Sequence, residues 1–217
     1  MAAETYVLGL VGAIATGKST VARMLATLGA EVLDADRLAH ATMAPGAPAH
    51  WPIVARFGAG ILDPCGQIDR ARLGAIVFAD VHALADLEAI VHPLVVSETL
   101  ARIGACQQPV CVIEAIKLYE AGLHRHCQAV WAVTCRRAQQ AQRLMAERGL
   151  TRAQAELRIR AQAPASAWRH LATRVIENSA DLEATWRQVC AAWNAIPGLA
   201  PRAPEVTWAS MAEESAS

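Results

Sequence analysis

Residues 7–25 read VLGLVGAIATGKSTVARML, and this stretch decides how the rest of the chain is understood. Residues 7–11 are compact and apolar, the pattern of a short buried strand, and they stop abruptly at Gly12. From Lys18 the period changes. Val21, Leu25 and Leu28 recur at helical spacing until Gly29 supplies a stop. Between strand and helix lies GAIATGKS, which matches the phosphate-binding pattern G-x-x-x-x-G-K-[ST] in the context that pattern requires. Its lysine stands out, because the chain carries eighteen Arg but only two Lys, Lys18 and Lys117.

Each part of the loop has a physical reason. A loop running into a helix N-terminus aims backbone N–H groups and the positive end of the helix dipole at a phosphate chain. Gly12 and Gly17 let the backbone curl where side chains would obstruct it. Lys18 is suited to bridge β- and γ-phosphates as a compact point charge, and the Ser19 hydroxyl to ligate Mg²⁺.

The chain is long enough for one domain with a small insertion, at 217 residues. With as many acidic as basic residues and a pI near 7.0, bulk electrostatic binding to nucleic acid or membrane is not expected. A local cationic pocket remains compatible with that balance. None of Cys65, Cys106, Cys111, Cys127, Cys135 and Cys190 forms a C-x-x-C pair, and several sit inside apolar runs. They read as small buried hydrophobes in a reducing compartment. The start lacks a basic segment followed by a long apolar run, and no apolar run approaches the roughly 20 residues of a spanning helix. The expected location is cytoplasmic, with no membrane or nucleic-acid partner and a monomeric or weakly oligomeric state.

Further strands are expected at residues 31–36 (EVLDAD), 109–115, 129–135 and 173–179. Residues 44–52 form a turn-rich break, and 53–108 read as mostly helical around the loop FGAGILDPCGQ. Residues 136–162 read as two polar helices joined at Gly149, with Thr151 as N-cap of the second. A closing helix follows from 181 to 196. Beyond it the composition shifts to Pro, Ala, Ser and Glu, so 199–217 read as a flexible tail. Strands alternating with helices imply an α/β fold whose parallel sheet binds ligand beyond the carboxyl ends of its strands. Gly12 and Asp36 should fall there.

Other residues carry chemistry. A carboxylate of Asp34 or Asp36 could accept a proton from an attacking hydroxyl, position Mg²⁺ through water, or cap the helix that starts near Arg37. Seven Arg in residues 136–162 suit either a lid over bound nucleotide or a solvated hairpin of Glu–Arg pairs. HRHC at 124–127 has no second cluster to complete a zinc site, and DPCG at 63–66 reads as a turn.

Taken together, the loop followed by VARMLATLGAEVLDADRLA, MAPGAPA, FGAGIL, GQIDRARLGAIVF, LEAIVHPLV, RLMAERGLTRAQAELRIRAQ and RVIENS resembles the dephospho-CoA kinase family. The likeness runs over roughly residues 6–195. It implies a P-loop NTPase three-layer fold with a central parallel five-stranded sheet, a helical substrate-binding insertion at about 37–108 and a helical lid at about 137–163, all within 1–198. It implies transfer of the γ-phosphoryl of ATP to the ribose 3′-hydroxyl of dephospho-CoA, with Mg²⁺. The resemblance places Gly12, Ala13, Ile14, Ala15, Thr16, Gly17, Lys18, Ser19 and Thr20 around the ATP phosphates. It makes Asp36 the base and Arg143 a lid residue facing the phosphates, and sets Asn178 near the adenine. It assigns Arg70 and His92 to the acceptor region.

The chain departs from the family pattern at several points. Ala13 and Ala15 stand where the family usually has glycine, and a methyl is expected to be tolerated only at negative φ. IKLYE at 116–120 replaces P-L-L-x-E, which puts Lys117 in the expected acceptor cleft as a phosphate contact or a surface lysine. Glu147 occupies a lid position that is often Arg, and Glu177 stands where the late strand usually carries Asp. The loop by itself also admits another small-metabolite kinase acting on nucleosides or nucleotides, and a non-catalytic ATP-binding regulator.

Overall fold

In the computed structural model, residues 5–162, 168, 170–201 and 208 are described. The chain divides into two compact units, one of residues 1–33, 106–118 and 124–217, the other of 34–105 and 119–123.

The first unit is built on an all-parallel five-stranded sheet. Its strands are β1 (Tyr6–Gly12), β2 (Glu31–Asp34), β3 (Val110–Glu114), β4 (Ala129–Thr134) and β5 (Arg174–Glu177), in the order β2-β3-β1-β4-β5. β1 therefore sits at the centre, paired with β3 and β4. A central parallel strand is covered on both faces, which is why β1 and β4 read as nearly unbroken apolar runs rather than alternating ones. Leu8 and Leu10 are fully buried against α1 (Lys18–Thr27), through Val21, Met24 and Leu25, and against Trp186, Val189 and Trp193 of the closing helix. Each such side chain contributes roughly 1.5–3 kcal/mol of burial. Gly9 faces the other way, where an added Cβ would lie 2.7 Å from Leu118 Cδ2, so the packing there admits no side chain.

The sequence-derived elements fall close to their expected places, with one informative difference. The strand expected over 31–36 ends at Asp34, because the Asp34 carboxylate accepts a hydrogen bond from Arg37 N at 2.9 Å and caps α2 (Ala35–Thr42). Asp36 therefore lies in the first turn of a helix, not on a strand.

The second unit holds α2, α3 (His50–Phe57), α4 (Arg70–Val77) and the long α5 (Val81–Ala105). Between α3 and α4 the chain makes the expected turn at DPCG. Asp63 Oδ1 accepts from Cys65 N and Gln67 N, and Leu62 bridges Ile68. Asp69 then caps α4 by accepting from Ala71 N and Arg72 N.

In the first unit, α6 (Arg137–Arg148) and α7 (Arg152–Arg160) form the expected hairpin. Gly149 ends α6 in the left-handed region at φ 62°, and Thr151 with Gln154 makes a reciprocal capping box for α7. The closing helix is α8 (Leu182–Trp193). Most of the tail expected to be flexible lies outside the described residues. Trp208 is described, and it packs: its ring lies tilted against that of Trp186 with centroids 5.6 Å apart, and its backbone N–H donates to Glu183 Oε2 at 2.9 Å.

Among the described residues no helix is long and apolar enough to cross a membrane. All six cysteines are free thiols. Burial pushes Cys111 and Cys127 up to about 12 and Cys190 to about 11, so these thiols stay protonated and act as apolar side chains.

Candidate active site

The loop leaves the carboxyl end of β1, the centre of the sheet, between Gly12 and α1. Gly12 is required by space: an added Cβ would lie 2.8 Å from both Thr16 Oγ1 and Val133 O. From there the loop turns its carbonyls outward, into bonds with protein. Thr16 N and Thr16 Oγ1 donate to Ala13 O. Gln140 Nε2 donates to Ile14 O at 2.9 Å, Arg143 Nη1 to Ala15 O at 3.3 Å and Asn178 Nδ2 to Thr16 O at 2.8 Å. Gly17 O takes the first N–H groups of α1, from Thr20 and Val21. The N–H groups of Ala15, Gly17, Lys18 and Ser19 meet no acceptor among the described residues. Because a trans peptide is planar, an outward carbonyl dictates an inward N–H on the following residue. Four donors at a helix N-terminus with nothing to bind make an anion cradle.

Lys18 and Ser19 meet a residue that sequence reading did not single out. Lys18 Nζ donates to Glu114 Oε1 at 2.8 Å, and Ser19 Oγ donates to the same oxygen at 2.7 Å. Glu114 ends β3, and its partner in the β1–β3 register is Leu10, two residues before Gly12. The ion pair is nearly dry, with side-chain exposures of 10% and 8%. A buried carboxylate demands a compensating charge, which Lys18 supplies. An acid closing the apolar run VCVIE was the available signal, but only the β1–β3 register reveals what it faces.

Arg143 and Asn178 also converge on the loop. Asn178 is almost wholly buried, and its polar groups are all engaged. Its N–H donates to Thr134 O, its carbonyl accepts from Arg143 Nη2, its Oδ1 accepts from Thr185 Oγ1, and its amide holds Thr16 O. The side chain expected beside adenine is therefore committed to bracing the phosphate loop. Arg143, expected to face the phosphates, spends two N–H bonds on the carbonyls of Ala15 and Asn178.

The two alanines behave differently. Ala15 adopts φ 56°, in the left-handed region, and is the sole described non-glycine residue with positive φ. Ala13 conforms to the expectation of negative φ, and Ala15 overturns it. The reason is that the Ala15 carbonyl must turn toward Arg143 while its N–H faces inward. An L-residue there costs roughly 1–2 kcal/mol, partly offset by the greater chain entropy that glycine would bring to the unfolded state. Ala15→Gly is therefore expected to stabilise the protein by about 0.5 kcal/mol, raising Tm by about 1–2 °C in a thermal melt. A lowered Tm would show that Ala15 carries no strain.

In the second unit, α2 carries Asp36 in its first turn and His40 one turn later on the same face. Asp36 is half-buried. His40 and Arg70, the latter at the start of α4, line a cavity of about 160 Å³ with Met43, Ala44, Pro45, Gln67 and Ile68. Partial burial, then the Arg70 charge, push the His40 pKa down against the opposing pull of Asp36 and Asp34, so His40 is largely neutral at neutral pH. His92 lies half-buried on α5, immediately before Pro93. Lys117 lies half-buried in the segment after β3, in the first unit. Among the described residues no three His, Cys, Asp or Glu gather to hold a metal, HRHC included. An ion bound at the loop would instead take oxygen donors from Ser19 and Glu114 together with phosphate and water, a set that suits Mg²⁺.

The dephospho-CoA kinase family model matches residues 6–184 of this chain. Dephospho-CoA kinase of Moorella thermoacetica is 46% identical over 192 residues, 87% of this chain and 91% of that protein. Dephospho-CoA kinase of Geobacter sulfurreducens is 44% identical over 190 residues, 86% and 96% of the two chains. The crystal structure of TT1252 from Thermus thermophilus superimposes with a TM-score of 0.77 at 31% identity, covering 90% of this chain and all of that one.

Proposed function

The chain belongs to the dephospho-CoA kinase family, and we infer that it transfers the γ-phosphoryl of ATP to the ribose 3′-hydroxyl of dephospho-CoA, yielding coenzyme A and ADP. The observation that carries this reading is the loop whose Ile14, Ala15 and Thr16 carbonyls are held by Gln140, Arg143 and Asn178, while the N–H groups of Ala15, Gly17, Lys18 and Ser19 meet no acceptor among the described residues and the Lys18 and Ser19 side chains converge on Glu114.

In the mechanism we propose, the N–H groups of Ala15, Gly17, Lys18 and Ser19 cradle the β-phosphate. Lys18 moves from Glu114 onto the β- and γ-phosphates, exchanging one anionic partner for another at little electrostatic cost. Ser19 and Glu114 would hold Mg²⁺, which would supply charge neutralisation to the transferred group. Asp36 accepts the proton of the 3′-hydroxyl as its oxygen attacks phosphorus and the bond to ADP breaks. Arg70, with the neutral His40 beside it, takes the anionic part of the acceptor, and His92 and Lys117 complete its binding. Arg143 keeps the loop in its donor-inward form.

Purified protein supplied with ATP and dephospho-CoA is expected to form CoA and ADP in equal amounts, and to stop when a chelator removes divalent cations. Faster phosphorylation of nucleosides or nucleoside monophosphates would make it a different metabolite kinase. Folded protein that binds ATP and turns over no acceptor would make it a regulator.

A further inference from the structure

The α6–α7 hairpin touches the phosphate loop through Arg143, which holds Ala15 O, and through two glutamines, which both take hold of Ile14. Gln140 Nε2 donates to Ile14 O at 2.9 Å, and Gln162 Oε1 accepts from Ile14 N at 2.7 Å. The partners are 126 and 148 residues apart in sequence, so neither bond is a by-product of local chain geometry. Gln140 is buried, which makes an unpaired amide there costly. The hairpin has little else to hold it by apolar means. Its buried residues are Gln140 and Leu144 on α6 and Ala155 on α7, while Met145 and Leu157 are exposed.

The consequence follows from peptide planarity. Ile14 C=O and Ala15 N–H belong to one rigid unit, so gripping the carbonyl from outside aims the Ala15 N–H inward. Ile14 N–H and Ala13 C=O belong to the preceding unit. Gln162 holds that unit by its donor while Thr16 holds it by its acceptor. Two successive peptide planes, 13–14 and 14–15, are thereby set by side chains of the hairpin. We propose that Gln140 and Gln162 are positioning residues for nucleotide binding, fixing the orientation of the Ala15 N–H donor. The proposal rests on ATP binding at the loop.

The two amides play opposite roles, which gives a test. Gln140 must donate and Gln162 must accept, and a carboxylate can only accept. Gln140→Glu and Gln162→Glu add the same charge at the same hairpin, so the difference between them isolates the hydrogen bond. Gln140→Glu and Gln140→Ala are both expected to weaken ADP binding, measured by titration calorimetry, and to raise the KM for ATP by about five- to ten-fold. The KM for dephospho-CoA should change little, and the melting temperature should fall by no more than the few degrees that one lost buried hydrogen bond costs. Gln162→Ala should behave like Gln140→Ala, whereas Gln162→Glu should bind ADP at least three-fold more tightly than Gln140→Glu.

Equal ADP affinity in the two Glu variants would overturn the proposal, as would Gln140→Ala binding ADP like the wild type. If Gln140→Ala fails to fold, the comparison of the two Gln162 variants decides: Gln162→Ala binding ADP as well as Gln162→Glu refutes it. Wild-type protein that binds no ADP would instead refute nucleotide binding at the loop.

Discussion

Asp36→Asn is expected to lower kcat by two to four orders of magnitude while leaving ATP affinity nearly unchanged. The range is that of losing a positioned general base. Asn keeps the size and hydrogen-bonding shape of the side chain but cannot take the proton of the 3′-hydroxyl. Stability should fall by less than about 1 kcal/mol, because the lost carboxylate is one acid in the first turn of α2. Asp34→Asn serves as the control. Asp34 caps α2 through Arg37 N, and an Asn there can still cap, so turnover should stay near wild type. Steady-state kinetics with both substrates and an ATP titration separate the possibilities. A loss of ATP affinity as large as the loss of kcat would assign Asp36 to metal or structure and remove it as the base.

Gly17→Ala should be the most damaging single-methyl change in the protein. The backbone at Gly17 has φ 89°, outside the range L-residues favour, and the new Cβ would lie 1.9 Å from Asn178 Nδ2 and 3.2 Å from Arg143 Nη1. Asn178 cannot absorb the clash, since it is buried and its amide is bonded to Thr16 O and Thr185 Oγ1. Displacing it leaves Thr16 O unpaired, at about 1–3 kcal/mol, and Thr185 Oγ1 with only its longer bond to Asp181 O, in addition to the left-handed penalty of roughly 1–2 kcal/mol. A stability loss of about 3–5 kcal/mol and at least a hundred-fold loss of nucleotide affinity are expected. Asn178→Ala in the Gly17→Ala background removes the clash without restoring the hydrogen bonds, so the double variant should be less unstable than the sum of the singles. Denaturant melts of the four proteins measure this directly, and additive effects would show that the two residues do not meet.

The residues legible in sequence share one property, namely that their role is expressed within a short span of chain. Gly12, Gly17, Lys18 and Ser19 announce a strand-to-helix phosphate loop because the spacing itself builds the curl and the helix N-terminus. Thr151 and Gly149 mark the hairpin for the same reason, since caps act over three or four residues. Asp34 was harder. Capping and catalysis both call for an acid at the end of a strand, and only the bond to Arg37 N separates Asp34 from Asp36.

What the sequence determined alone was therefore the loop, its phosphate chemistry, the order of strands and helices, and the family. What only the tertiary structure decided was which distant side chains make that loop work. Glu114 reaches Lys18 and Ser19 across the β1–β3 register, Asn178 leaves β5 to hold Thr16 O, and Gln140, Arg143 and Gln162 come from the hairpin to hold Ile14 and Ala15. A carbonyl has no residue-specific signature, so no sequence pattern announces which side chain will satisfy it. The loop's inward donors depend on those outward bonds, and the bonds exist only once the sheet has brought together residues about a hundred or more positions apart.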